Sequence, residues 1–164
     1  MLPHFGTIYG GGGVMPDLYV PVDTSNYSTY YRDLTAKGIT NQYVIGYVDK
    51  NRKKISKQFP TIKDFDHGFV VTDEMMRDFI ALGEKDSVKY DEEKFRTSES
   101  LLKDIIKGLI ARDVYSDPGA YSVIINHRNP DVQAAYDILN DTERYQRLLR
   151  EGNPEYERLV KKHD

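Results

Sequence analysis

Leu101, Leu102, Ile105, Ile106, Leu109, Ile110 and Val114 recur at three- and four-residue spacing, and this stripe constrains the chain more than any other feature. An apolar band that wide belongs on one side of a helix and has to be buried. The spacing predicts a helix over 98–114 that begins as early as Asp91. One amphipathic helix cannot bury its own face, so the rest of the chain has to supply partners.

Partners of the same period follow one another from residue 24 onward. Tyr27, Tyr30, Tyr31 and Leu34 share one face, with Thr24 or Ser25 as the expected N-cap and Gly38-Ile39 as the stop. Thr40 then caps a helix bearing Tyr43, Val44, Tyr47 and Val48. The charged stretch Lys50 to Lys57 continues it on the solvated side as far as Phe59-Pro60, where proline disfavours helix. Asp64 to Phe69 reads as a connection. Thr72 with Asp73 and Glu74 opens a helix whose buried side is Met75, Met76, Phe79, Ile80 and Leu82. Asp117-Pro118 and Asn129-Pro130 each place proline just inside a capped helix start. A last helix carries Tyr145, Leu148 and Leu149 and stops at Gly152. The fold class is therefore mainly α, with helices over 24–152 and a frayed tail over 153–164.

Residues 1–23 differ. Thr7-Ile8-Tyr9 reads as a short strand, four glycines follow (Gly10 to Gly13), and Leu18-Tyr19-Val20-Pro21-Val22 reads as a second strand ending at its proline. Two such strands make no stable sheet unaided. They predict a two-strand edge left over from a larger α/β core.

Composition closes off several function classes. The chain has no cysteine, which excludes disulfides, thiolate metal sites and a cysteine nucleophile. Its 164 residues suit one ordinary domain, and 30% are charged with both signs mixed to a net of −3. No basic domain or stripe stands out, so nucleic acid is not the expected partner. No apolar run is long enough to cross a membrane.

The candidates for chemistry are few. A phosphate loop needs lysine and a hydroxyl residue after its glycines and then a helix. Here Val14-Met15-Pro16-Asp17 follow, so Gly10 to Gly13 read as a tight connection. His4, His67, His127 and His163 lack metal-ligand spacing, and neither a metal nor another cofactor is expected. His67 stands beside Asp64 and Asp66, so an aspartate–histidine pair is conceivable there, yet no serine lies near it in sequence. The acidic clusters Asp91-Glu92-Glu93 and Asp141 with Glu143 sit at helix starts, where carboxylates act as caps. Of the thirteen tyrosines, Tyr30, Tyr31, Tyr43 and Tyr47 form either a face for a peptide or partner domain, or a helix core with hydroxyls at its rim.

The run Ile8 to Asp17, followed by Leu18-Tyr19-Val20-Pro21, resembles a signature of carboxyl-terminal processing (tail-specific) serine peptidases. The match is carried by Gly11, Gly13, Val14, Pro16 and Asp17. The stretches Tyr47 to Arg52, Val71 to Glu74 and Leu109 to Arg112 look like the helical C-terminal extension of one bacterial branch. The resemblance implies a tricorn-related enzyme with a serine nucleophile and a lysine base, usually with a PDZ module, acting on protein substrates in the bacterial cell envelope, in the periplasm. It implies that 1–23 is the end of the protease core and 24–152 an accessory domain, able to brace the core, limit access to its groove or pair with a second copy. Neither dyad residue maps onto this sequence, so its partners would be the catalytic and PDZ-like portions of the same polypeptide. The alternative is a freestanding helical module that binds protein or peptide through its tyrosine-rich face.

Overall fold

A computed structural model describes residues 8–9, 13–14, 18, 20–21, 24–127 and 129–151. Among these are eight helices and one pair of two-residue strands, so the chain is mainly α. It divides into two compact units, Asp23–His127 and a second formed by Met1–Val22 with Arg128–Asp164.

In the second unit, β1 (Ile8–Tyr9) pairs antiparallel with β2 (Gly13–Val14), Ile8 opposite Val14 and Tyr9 opposite Gly13. The partner of Ile8–Tyr9 is thus the end of the glycine run and not the expected strand over 18–22. Leu18, Val20 and Pro21 have no regular structure, while Gly11, Pro16, Asp17, Tyr19 and Val22 lie outside the described residues.

The Asp23–His127 unit is built from α1 to α6. Helix α1 (Thr29–Ala36) is capped by Ser28, whose hydroxyl accepts from the Tyr31 N–H. Neither Thr24 nor Ser25 serves, because buried Ser98 holds Ser28 in place. The Ser98 hydroxyl donates to the Asn26 carbonyl at 2.6 Å, accepts the Ser28 N–H at 3.1 Å and lies 2.8 Å from Ser28 Oγ. Gly38, at φ +68°, ends α1 and directly starts α2 (Ile39–Gln58), a backbone angle that glycine adopts without steric cost. Thr40 therefore falls inside the first turn, buried, and is not the cap expected of it. Helix α2 stops at Phe59, which leaves the helical region ahead of Pro60.

The expected connection over 64–69 is instead helix α3 (Ile62–Gly68). Thr61 and Asp64 cap each other's backbone there, and Phe65 is buried against Phe59, Phe69 and Tyr115. Thr72 caps α4 (Asp73–Lys85) through the Met75 N–H, with Asp73 and Glu74 in the first turn. Asp91 caps α5 (Glu92–Tyr115), which at 24 residues runs roughly 36 Å. Its buried side, including Phe95, Leu102, Ile106 and Ile110, packs on α1, α2 and α3. Helix α6 (Pro118–Asn126) opens on Asp117-Pro118 and lies close along α5 at Gly108, where a methyl group would stand 2.9 Å from the Tyr121 ring. The continuous core cluster of Leu34, Ile39, Val44, Phe65, Phe79 and Leu102 with their neighbours lies wholly within this unit.

Beyond it come α7 (Pro130–Asn140), capped by Asn129, and α8 (Thr142–Glu151). They pack on each other across Asp141, and α7 leaves Tyr136 and Leu139 exposed. Gly152 and the tail to Asp164 lie outside the described residues.

Candidate functional site: a cleft between helices α2 and α4

A cleft lies between α2 and α4 of the Asp23–His127 unit. Two adjoining hollows, of about 510 and 560 Å³, share Tyr47, Asn51 and Asp78. One continues past Lys54 and Gln58 towards Phe69 and Val70, the other past Gly46 and Lys50 towards Leu82. Tyr43, Tyr47, Asn51, Lys54 and Gln58 follow one another at four, four, three and four residues, so a single face of α2 forms this wall. Helix α4 contributes Glu74 and Asp78, and the linker after α3 contributes Val70, which is 71% exposed.

The tyrosines are held by aromatic packing. Tyr43 stacks on Tyr47 with centroids 6.0 Å apart and meets Phe79 edge-on at 5.5 Å. The Tyr43 hydroxyl is buried without a hydrogen-bond partner. Burial, reinforced by Asp78, Tyr47 and Glu74, pushes its ionisation well above the ordinary phenol value. Burial and then Glu74 act on Tyr47 in the same direction. The half-buried Tyr47 phenol consequently stays protonated and can donate. Asn51 Nδ2 donates to the Tyr47 carbonyl at 2.9 Å, which fixes its amide in the wall.

The four tyrosines singled out in the sequence do not form one patch. Tyr30 is buried against Tyr90 and Phe95, with an unpaired hydroxyl of its own. Tyr31 stacks on Tyr27 at 5.4 Å. Only Tyr43 and Tyr47 reach the cleft.

The histidine pairing also differs from its sequence neighbourhood. Asp64 is committed to the α3 cap, and His67 is exposed. Asp66 instead accepts from His127 Nε2 at 2.8 Å and lies 3.5 Å from Lys107 Nζ, which donates to the Asp66 carbonyl as well. This cluster ties α3, α5 and α6 together. His4 and His163 lie outside the described residues. Among the described residues no three His, Cys, Asp or Glu side chains gather as a metal site. Asp91 and Asp141 each accept a backbone N–H at a helix start.

Sequence reasoning missed the polar members of the cleft and a basic stripe beside it. Lys50, Lys53, Lys54 and Lys57 are exposed at i, i+3, i+4 and i+7 of α2, so a basic stripe does stand out once the helix is formed. The spacing was present in the sequence, but a charged run by itself does not say that a cleft borders it.

The stretch that builds this cleft has relatives. A family model described as a family of unknown function (DUF8443) matches residues 30–116, more than half of the chain. The chain belongs to this family. Neither a curated protein nor a solved structure matches it. The DUF8443 match covers α1 to α5 almost entirely, so both walls of the cleft and its tyrosines lie within the family region.

Proposed function

We propose that this DUF8443 chain is a helical accessory part of a carboxyl-terminal processing serine peptidase, serving proteolysis without supplying the serine and lysine of the dyad. The observation that carries this reading is the run Gly11, Gly13, Val14, Pro16 and Asp17, followed by helices. In the peptidases it resembles, such a turn lies just after the catalytic core. The antiparallel pairing of β1 with β2 supports the reading, since a two-stranded pair makes no stable sheet unaided. In this reading the chain works in the bacterial cell envelope, on the protein substrates of the parent enzyme.

The coding sequence ahead of Met1, and a deletion, test the reading together. A continuous frame with a PDZ-like segment and a Ser/Lys region is expected. Removal of residues 24–164 from that parent should lower its melting temperature or alter its cleavage pattern. Unaltered melting and proteolysis would overturn the reading.

The α2–α4 cleft favours a second reading, a helical module that binds polypeptide. Stacked Tyr43 and Tyr47 with an amide at Asn51 supply the mix of rigid aromatic surface and backbone-like polarity that peptide grooves use. Binding of unstructured peptides by the 164-residue chain alone, lost on blocking the cleft, is the result this reading requires.

A further inference from the structure

The α2 wall of the cleft is basic and the α4 wall is mixed. Lys50 and Lys54 stand on α2, and Glu74 and Asp78 stand on α4 with Lys85 at its end, and none of them forms an ion pair with another described residue. From Tyr43 to Gln58 the α2 wall runs roughly 22 Å. An extended chain rising about 3.3 Å per residue would place six or seven residues along it. Lys50 and Lys54 lie one helical turn apart, about 6 Å along the axis. Alternate side chains of an extended strand repeat at about 6.6 Å and point the same way. The two spacings match.

We propose that the α2–α4 cleft receives an extended polypeptide segment bearing acidic side chains at alternate positions, these facing Lys50 and Lys54 while the intervening side chains face Glu74 and Asp78. Lys53 and Lys57 extend the attraction outward along the same helix. A uniform polyanion such as single-stranded nucleic acid fits less well, because Glu74 and Asp78 repel it from the opposite wall. Amide side chains suit a peptide backbone, since each offers a donor and an acceptor, and Gln42, Asn51 and Gln58 are distributed along the length of the wall. The inference deepens the polypeptide-binding reading and does not depend on the peptidase reading.

The test uses the full chain and fluorescence anisotropy with end-blocked peptides of about seven residues, alternating glutamate with threonine or lysine with threonine, and an oligothymidine of similar length. The glutamate peptide should bind at least about tenfold more tightly than the lysine peptide, because Lys53, Lys57 and Lys85 add to Lys50 and Lys54 and outweigh Glu74 and Asp78, and salt should weaken it. Lys50→Glu with Lys54→Glu should reverse that preference, while Lys63→Glu with Lys89→Glu, the same charge change outside the cleft, should leave it intact. Gly46→Leu provides a variant that does not depend on a loss of stability. A Cβ built at Gly46 meets nothing within 4 Å and Gly46 lines the cleft, so leucine should occupy the cleft, abolish binding and leave the melting temperature equal or higher. No binding to any probe would overturn both this proposal and the binding reading. Binding blocked by Gly46→Leu but indifferent to peptide charge, or stronger for the lysine peptide or the oligonucleotide, would overturn the charge assignment alone.

Discussion

Two kinds of buried polar side chain carry opposite consequences. Ser98 is wholly buried and satisfied, linking Asn26 and Ser28 to α5 and thereby deciding where α1 begins. Ser98→Ala should leave the Ser28 N–H and the Asn26 carbonyl unpaired and lower stability by about 1–3 kcal/mol, measured by urea unfolding. Tyr30 and Tyr43 are buried with unpaired hydroxyls. Removing such a hydroxyl removes a desolvation penalty, so Tyr43→Phe should be neutral or stabilise by up to about 1 kcal/mol. The same burial sets an alkaline limit. Tyr30 is pushed up to about 12 from the ordinary 10.0, chiefly by burial and then by Glu84, and Tyr43 moves the same way. The folded state keeps these protons where the unfolded chain gives them up. Stability from this source is complete below about pH 10, falls as pH rises further, and for Tyr30 is gone above about pH 12. Tyr30→Phe with Tyr43→Phe should flatten that fall in a series of melts across alkaline pH.

At the scale of elements, helix ends explain most of the boundaries. Thr61, Thr72, Asp91, Asp117 and Asn129 each cap the helix that follows, and Pro118 and Pro130 occupy the first helical position. The end of α4 is less obvious. Val88 N–H bonds to the Gly83 carbonyl and Ser87 N–H to the Glu84 carbonyl, the paired reverse bonds of a Schellman motif, with Ser87 at φ +63°. Lys37 Nζ closes the same end from α1 by donating to the carbonyls of Asp86 and Ser87. A side chain in the left-handed region is strained, so Ser87→Gly should raise stability by roughly 0.5–1 kcal/mol, read from the midpoint of denaturant unfolding.

At the scale of the molecule, the buried cluster decides what folds as a body. Its members lie between Tyr30 and Ile124, inside the Asp23–His127 unit and overlapping the DUF8443 match. A chain cut to residues 23–127 should therefore retain cooperative unfolding and helical circular dichroism, with a melting temperature within a few degrees of the 164-residue chain. Loss of cooperativity on truncation would show that the second unit contributes to this core.

Local chemistry in the sequence was enough to specify the mainly helical class, the start of α4 at Thr72, the start of α5 at Asp91 and the two proline-marked openings at Pro118 and Pro130. Periodicity and caps act within a few residues, so they can be read along the chain. The sequence did not reveal α3, because its single buried anchor, Phe65, shows no periodicity over seven residues. Nor did it reveal the Ser98 clasp, the Asp66–His127 pair or the division of the tyrosines between core and cleft. Those depend on residues between 36 and 72 positions apart meeting in space. Only packing of α2 against α4 turned a solvated lysine run into the wall of a cleft, because a hollow belongs to two surfaces and is encoded in neither alone.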